Sequence, residues 1–144
     1  MTIAAILKHK GDDVTTIAPT ATVAEVAAVL AEQRIGALPV VDRADQLLGI
    51  ISERDVIRAL AANGPAALQM LAGQLMTRTL RVATRSTTVE QAMTLMTASR
   101  FRHLPVIEGG VLVGIVSIGD VVKARILQTE HEVDSLKAYV AGVA

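Results

Sequence analysis

Apolar positions along this chain change their spacing in a fixed order, and the order is written twice. Val23, Val26, Ala27 and Leu30 form the i, i+3, i+4, i+7 stripe of one helix face, with Thr22 placed ahead of them as an N-cap. The stripe gives way to two short apolar runs, LPVV and LLGII, around the polar turn DRADQ, which predicts a β-hairpin. Helical spacing returns with Val56, Ile57 and Leu60, and a short extended segment, Val14 to Ile17, precedes the first helix. The second passage repeats each step. It has an entry segment from Leu80 to Ala83, a stripe of Val89, Ala92, Met93 and Met96, a hairpin turning at EGG, and a helix carrying Val121, Val122 and Ile126. Each passage therefore predicts the order β-α-β-β-α.

The two passages are copies of one another. Thr22 to Val41 falls on Thr88 to Ile107 without a gap, Thr-Val opening both helices and Leu-Pro-Val both hairpins. One residue is lost in the turn, after which LLGIISERDVIRAL falls on LVGIVSIGDVVKAR. A unit of about 60 residues buries too little surface to be secure alone, so the copies are expected to pack apolar face against apolar face. The expected division is residues 8–63 for the first repeat, 64–77 for a helical connector containing GPAALQMLAGQLM (Gly64 to Met76), 78–127 for the second repeat, and 128–144 for a C-terminal helix with Val133, Leu136 and Val140 on one side.

Composition narrows the function. Apolar residues make up 51% of the chain and Phe101 and Tyr139 are its only aromatics, so the core is built from Ala, Val, Leu, Ile and Met. The 14 bases balance the 14 acids, which removes the broad positive field that DNA, RNA or anionic lipid would require. The scarcity of aromatics removes the stacking platform for single strands. The absence of cysteine excludes disulfides and thiol chemistry. The N-terminal stretch MTIAAILKHKGDD lacks the layout of a signal peptide, and Glu25, Glu32 and Arg34 interrupt the longest apolar run. These features predict a cytoplasmic protein that engages neither nucleic acid nor membrane.

The most specific stretch is GIISERD, Gly49 to Asp55, set against GIVSIGD, Gly114 to Asp120. Ser52 and Ser117, each followed three residues later by an acid and then by an apolar helix, resemble a capping box, and the acid suits a helix's first turn. The same turn also suits a ligand. Glycine at the strand end admits a close approach, amides at a helix start attract anions, and an acid there can accept bonds from vicinal ribose hydroxyls. One carboxylate has two oxygens and can serve both purposes. On the residues alone both readings stand.

Leu-Pro-Val before each hairpin and Gly-h-h-Ser-x-x-Asp after it, repeated in register, resemble a pair of CBS domains (after cystathionine β-synthase) of the stand-alone bacterial type, over residues 1–127. The resemblance implies an α/β (α+β) fold of two β-α-β-β-α repeats with pseudo-twofold symmetry. It also implies an adenosyl ligand such as AMP, ADP, ATP, NAD(H) or S-adenosylmethionine, held in clefts between the repeats. Under it, Asp55 and Asp120 hold ribose, Ser52 and Ser117 lie at ribose or phosphate, and Thr16, Ile17, Ala18 and Val82, Ala83, Thr84 flank adenine. Basic residues before Pro-Val aim at phosphates in that family. The second copy has Arg102 and His103 there, where the first has Gly36 and Ala37; conversely Arg54 in the first motif matches Gly119 in the second. Two unequal sites are expected, with the Asp120 site the better phosphate binder and Arg54 supplying charge to the other.

Other residues carry plainer readings. His9, His103 and His131 are dispersed, so no metal site is expected; Met93 and Met96 belong to a core stripe; Arg78, Arg81 and Arg85 read as a solvated edge. No GxSxG, HExxH or P-loop is present, so catalysis is not expected. The expectation is a nucleotide sensor acting in trans on an unidentified partner. It would be a homodimer formed through the apolar sides of Val23–Leu30, Val89–Met96 and the C-terminal helix. The alternative is a dimerisation or scaffold module with vestigial clefts, and the retained Ser and Asp of both motifs favour the sensor.

Overall fold

The computed structural model describes residues 1–11, 13–78 and 81–142; Leu80, at the head of the second entry segment, lies outside the described residues. The elements are α1 (Ile3–Lys10), α2 (Val23–Gln33), β1 (Ala37–Val41), β2 (Leu47–Ser52), α3 (Glu53–Asn63), a 3₁₀ helix (Gly64–Gln69), α4 (Ala72–Leu75), α5 (Val89–Ser99), β3 (His103–Glu108), β4 (Val111–Ser117) and α6 (Ile118–Val140). The predicted order β-α-β-β-α is present twice, with the entry segments reduced to single parallel bridges, Ile17 to Val40 and Ala83 to Val106.

Local chemistry sets the boundaries. Thr22 Oγ1 accepts the Glu25 amide at 3.2 Å and Thr88 Oγ1 the Gln91 amide at 3.0 Å, so both predicted N-caps start their helices. Both helices end on an arginine in the left-handed region, Arg34 at φ 55 and Arg100 at φ 57, a place where glycine is the usual choice. β1 and β2 pair antiparallel with Ala37 opposite Ser52 and Val40 opposite Gly49. β3 and β4 make the second two-stranded sheet.

The chain divides into two compact units: Met1–Asp12, Arg81–Val106 and Val116–Ala144 form one, Asp13–Leu80 and Ile107–Ile115 the other. The second is centred on Val23, Val26, Leu30, Leu38, Val40, Ile51, Val56, Ala72 and Met76. In the first, Ile3, Leu7, Val89, Ala92, Met96, Leu104, Val116 and Val121 are buried. The apolar stripes of α2 and α5 are thus consumed by the chain's own core, which removes them as the dimer surface expected from sequence.

Two helical readings change in detail. On α3 and α6 the buried positions are Val56 with Ala59 and Val121 with Ala124, while Ile57 is 64% exposed and Ile126 53%. Alanine lets each helix approach its neighbours closely, and reading the stripe from the largest side chains missed it. The connector is broken: Gly64, at φ 64, and Pro65 open a 3₁₀ helix, Met70 and Leu71 are extended, and α4 adds a single turn. The helices read around Val121–Ile126 and from Gln128 onward are one, because no Gly or Pro falls between Val121 and Val140. No helix among the described residues is long and apolar enough to cross a membrane.

Candidate functional site

Both motif heptapeptides form a strand-to-helix turn, with the serine extended at the N-cap and the aspartate at the third helical position. Ser52 Oγ accepts the Asp55 amide at 3.3 Å and the Ser52 amide donates to Asp55 Oδ2 at 2.8 Å. Ser117 Oγ accepts the Asp120 amide at 3.1 Å and the Ser117 amide donates to Asp120 Oδ2 at 2.8 Å. Both turns are capping boxes closed by Asp in place of Glu. In each, the bonds fall on Oδ2 and Oδ1 takes no part in the cap. The cap therefore fixes a half-buried carboxylate and leaves its second oxygen outside that bonding.

The amide that opens each helix is also satisfied by the chain. Glu53 donates to the Gly36 carbonyl at 2.9 Å and Ile118 to the Arg102 carbonyl at 2.7 Å. The amides of Arg54 and Gly119 lie between these bonded positions and the capped ones. The same bonds tie the residues before Pro-Val to the motif turn, so Arg102 is joined directly to the turn of Ser117 and Asp120. His103 starts β3, and its match in the first repeat, Ala37, pairs with Ser52. The side chains of Arg54 and Arg102 are exposed and that of His103 is half-buried.

The entry segments attach farther along the hairpins. The Ile17 amide bonds the Pro39 carbonyl and the Ala83 amide the Pro105 carbonyl, at 3.0 and 2.9 Å. Thr16, Ala18, Val82 and Thr84 are exposed, whereas Ala83 is buried and presents no side chain to solvent. The structure does not place these residues directly on the motif turn of their own repeat; it ranges them along the same hairpin. Thr84 belongs to a hydroxyl cluster, its Oγ1 2.9 Å from Ser86 Oγ and its amide 3.0 Å from Thr87 Oγ1.

The motif glycine of the first copy has a different role from the one sequence suggested. A Cβ at Gly49 would stand 2.7 Å from the Thr77 carbonyl oxygen and 2.8 Å from Met76 Sδ. The close approach is made by the chain itself, through paired bonds between Ile50 and Thr77 of 3.1 and 2.8 Å. Gly119 is unlike it: a Cβ there would meet Ser117 Oγ at an ordinary 3.6 Å.

Sequence reasoning missed Lys10. Its Nζ lies 2.8 Å from Asp120 Oδ2. Burial pushes the Asp120 carboxyl up, but its bonds with Lys10 and Ser117 and the Lys10 charge outweigh that, leaving it below the ordinary aspartate value. Lys10 is delivered by α1, which buries Ile3, Ile6 and Leu7 and is tied down by Ile3 N–H to Thr87 O and Ala4 N–H to Arg85 O, 2.9 and 3.0 Å. The i, i+3, i+4 spacing of Ile3, Ile6 and Leu7 was the available signal. Among the described residues no Lys or Arg pairs with Asp55 in this way: the position matching Lys10 is Met76, a buried side chain packed at Gly49. Among the described residues no group of His, Asp and Glu is placed to hold a metal ion.

Comparison with known proteins agrees with this geometry. The profile of the CBS domain matches residues 7–62 and 72–127. The mitochondrial CBS domain-containing protein CBSX3 of Arabidopsis thaliana is 39% identical over 125 residues; the match covers 84% of this chain and 61% of that protein, so the chain spans about three fifths of that relative's length. The crystal structure of a CBS-domain containing protein from Agrobacterium tumefaciens is similar with a TM-score of 0.83 and 43% identity, over 87% of this chain and 99% of that one. The crystal structure of CBSX2 in complex with AMP is similar with a TM-score of 0.74 and 27% identity, over 89% and 98%.

Proposed function

This chain belongs to the CBS-domain family, and on that premise we propose that it is a regulatory sensor of adenosyl ligands such as AMP, ATP or NAD(H), acting in trans on a partner protein as a homodimer. The observation that carries the reading is the divided use of the motif carboxylates. Asp55 and Asp120 spend Oδ2 on the cap and keep Oδ1 out of it, so a rigid acceptor is ready for a ribose diol in both copies. The AMP held by the similar CBSX2 supports the ligand class. Arg102 and His103 stand at the second turn and Arg54 at the first, which suits phosphate at both and more of it at the Asp120 turn. Thr16, Ile17, Ala18 and Val82, Ala83, Thr84 are the adenine-flanking residues in this reading, the buried Ala83 through its backbone. No residue is assigned a catalytic role. A ligand regulates only through a difference in affinity between two arrangements of the protein, so the output is a conformational bias read by the partner.

The test is the ligand-induced rise in thermal midpoint with AMP, ADP, ATP, NAD, NADH and S-adenosylmethionine, for wild type, Asp55→Ala and Asp120→Ala. A ligand that binds only the folded state stabilises it by about 2.7 kcal/mol at one hundred times its Kd. Both variants lose the carboxylate half of their capping box and are expected to melt lower without ligand, so the readout is the ligand-induced shift in each. We expect Asp120→Ala to remove most of it and Asp55→Ala less. No shift with any of the six, on nucleotide-free protein, would leave the carboxylates as caps alone and favour the scaffold reading.

A further inference from the structure

The two motif turns hold Oδ2 of their aspartates with different second donors. At Asp55 that donor is the Ser52 hydroxyl, at 3.0 Å; at Asp120 it is the Lys10 ammonium, at 2.8 Å. The placement of Lys10 is built into the fold. It is the last residue of α1, where a cation suits the helix dipole, and Gly11, at φ 100, ends the helix directly after it. The other end of α1 is fastened to the start of α5, where the Val89 amide donates to the Met1 carbonyl at 3.1 Å beside the Ile3 and Ala4 bonds. Lys10 and Asp120 thus belong to one compact unit. The two oxygens of a carboxylate are neighbours, so an ammonium on Oδ2 also stands close to whatever takes Oδ1.

Charge is what this changes. Take each turn with the residue whose carbonyl receives its first helical amide and the residue at the Lys10 position. The first copy then has two acids to one base, Glu53 and Asp55 against Arg54, with Gly36 and Met76 neutral. The second has two bases to one acid, Lys10 and Arg102 against Asp120, with Ile118 and Gly119 neutral. Given adenosyl binding at Asp120, the reading on which this rests, we propose that Lys10 sets the charge preference of that turn, favouring adenosyl ligands that carry phosphate, such as AMP or ATP, over neutral or cationic ones, such as adenosine or S-adenosylmethionine. Asp120 accepts from the ribose hydroxyls, and an uncompensated carboxylate there would repel a phosphate attached to the same ribose. Lys10 cancels that charge without taking Oδ1, so the phosphate meets Arg102 unopposed. At Asp55, where Glu53 adds a second acid, the preference for phosphate is weaker.

The test is calorimetric titration of AMP, adenosine and S-adenosylmethionine into Asp55→Ala protein, so that the Asp120 turn reports. Lys10 is kept, changed to Met (the residue at the matching position 76), or changed to Arg. All three ligands share the adenosine moiety, so a loss of packing or of Asp120 geometry weakens them together and leaves their ratios alone. We expect Lys10→Met to lower the ratio of AMP to adenosine affinity about threefold to tenfold, less at high salt. Lys10→Arg should restore the ratio, and S-adenosylmethionine should lose no more than adenosine does. Should Lys10→Met fail to fold, Lys10→Gln, which keeps a donor for Oδ2 without the charge, takes its place with the same expectation. A ratio unmoved by either variant, in protein that binds both ligands, overturns the proposal and leaves adenosyl binding standing. So does a ratio that Lys10→Arg lowers as far as Lys10→Met. If none of the three ligands binds even with Lys10 in place, adenosyl binding at Asp120 itself fails, and the charge preference with it.

Discussion

Asp55 and Asp120 close the same cap in the same kind of turn, and their surroundings differ in three respects. Asp120 carries the Lys10 ammonium on the oxygen that the cap already uses, and among the described residues no Lys or Arg forms an ion pair with Asp55. The turn at Asp120 is tied to Arg102, the turn at Asp55 to Gly36. Position 54 is arginine where position 119 is glycine. The duplicated turn is therefore a preserved backbone device with divergent electrostatics. A cap constrains Ser, Asp and the backbone, whereas residues around it are left to vary, and it is there that the copies separate.

The sharpest break between the copies is expected at the motif glycines. Gly49→Val places a Cβ 2.7 Å from a carbonyl oxygen that is itself fixed by the Ile50–Thr77 bonds. Neither the backbone nor the buried Met76 can give way cheaply, and overpacking of this kind costs about 1–3 kcal/mol or more. Urea denaturation should show the loss as a lower midpoint at unchanged m-value. If Gly49→Val melts like wild type, the packing of Met76 and Thr77 against β2 is wrong.

Lys10 sharpens the comparison from the other side. Its pair with Asp120 is partly exposed, at 42% and 27% for the two side chains, so the direct contribution is about 0.2–1 kcal/mol. Asp120 titrates below its unfolded value, so its stabilising effect is fully present above that value and is lost as pH falls through the folded pKa. The stability difference between wild type and Lys10→Met should be constant above about pH 5 and close below about pH 4. An equal difference at pH 3 and pH 7 would mean that Lys10 acts through packing of α1 and not through its charge.

Much of the fold was legible because it was written twice: the stripes at Val23 and Val89, the Leu-Pro-Val strands and the Ser-x-x-Asp starts each confirm the other. What escaped was information that periodicity does not carry. The spacing of Ile3, Ile6 and Leu7 marks an apolar face but not its destination, and α1 joins the unit of the second repeat. Ala59 and Ala124 are buried where larger neighbours are not, because close helix approach rewards small side chains and a stripe read from large ones passes over them. A strand-end glycine announces a close approach without saying to what, and at Gly49 the answer is Met76 and Thr77. The aspartate and serine of each motif were legible as a cap and as a candidate site at once, since both uses need the same rigid carboxylate.

The smallest expected effect tests what Gly119 is for. The protein itself does not require glycine there, because an added Cβ meets only Ser117 Oγ at 3.6 Å. Gly119→Ala in the first turn of α6 should then raise apo stability by a few tenths of a kcal/mol, through lower entropy in the unfolded chain and better helix propensity. Two readouts separate the explanations. If the midpoint rises and the ligand-induced shift is unchanged, Gly119 is a neutral choice at a helix start. If the midpoint rises while the ligand-induced shift falls, the missing side chain is space for a ligand beside Asp120, and Gly119→Arg, which copies the first motif, should reduce that shift further. The second outcome would make the Arg54/Gly119 difference a determinant of which turn admits the bulkier ligand, with the cap itself held constant in both.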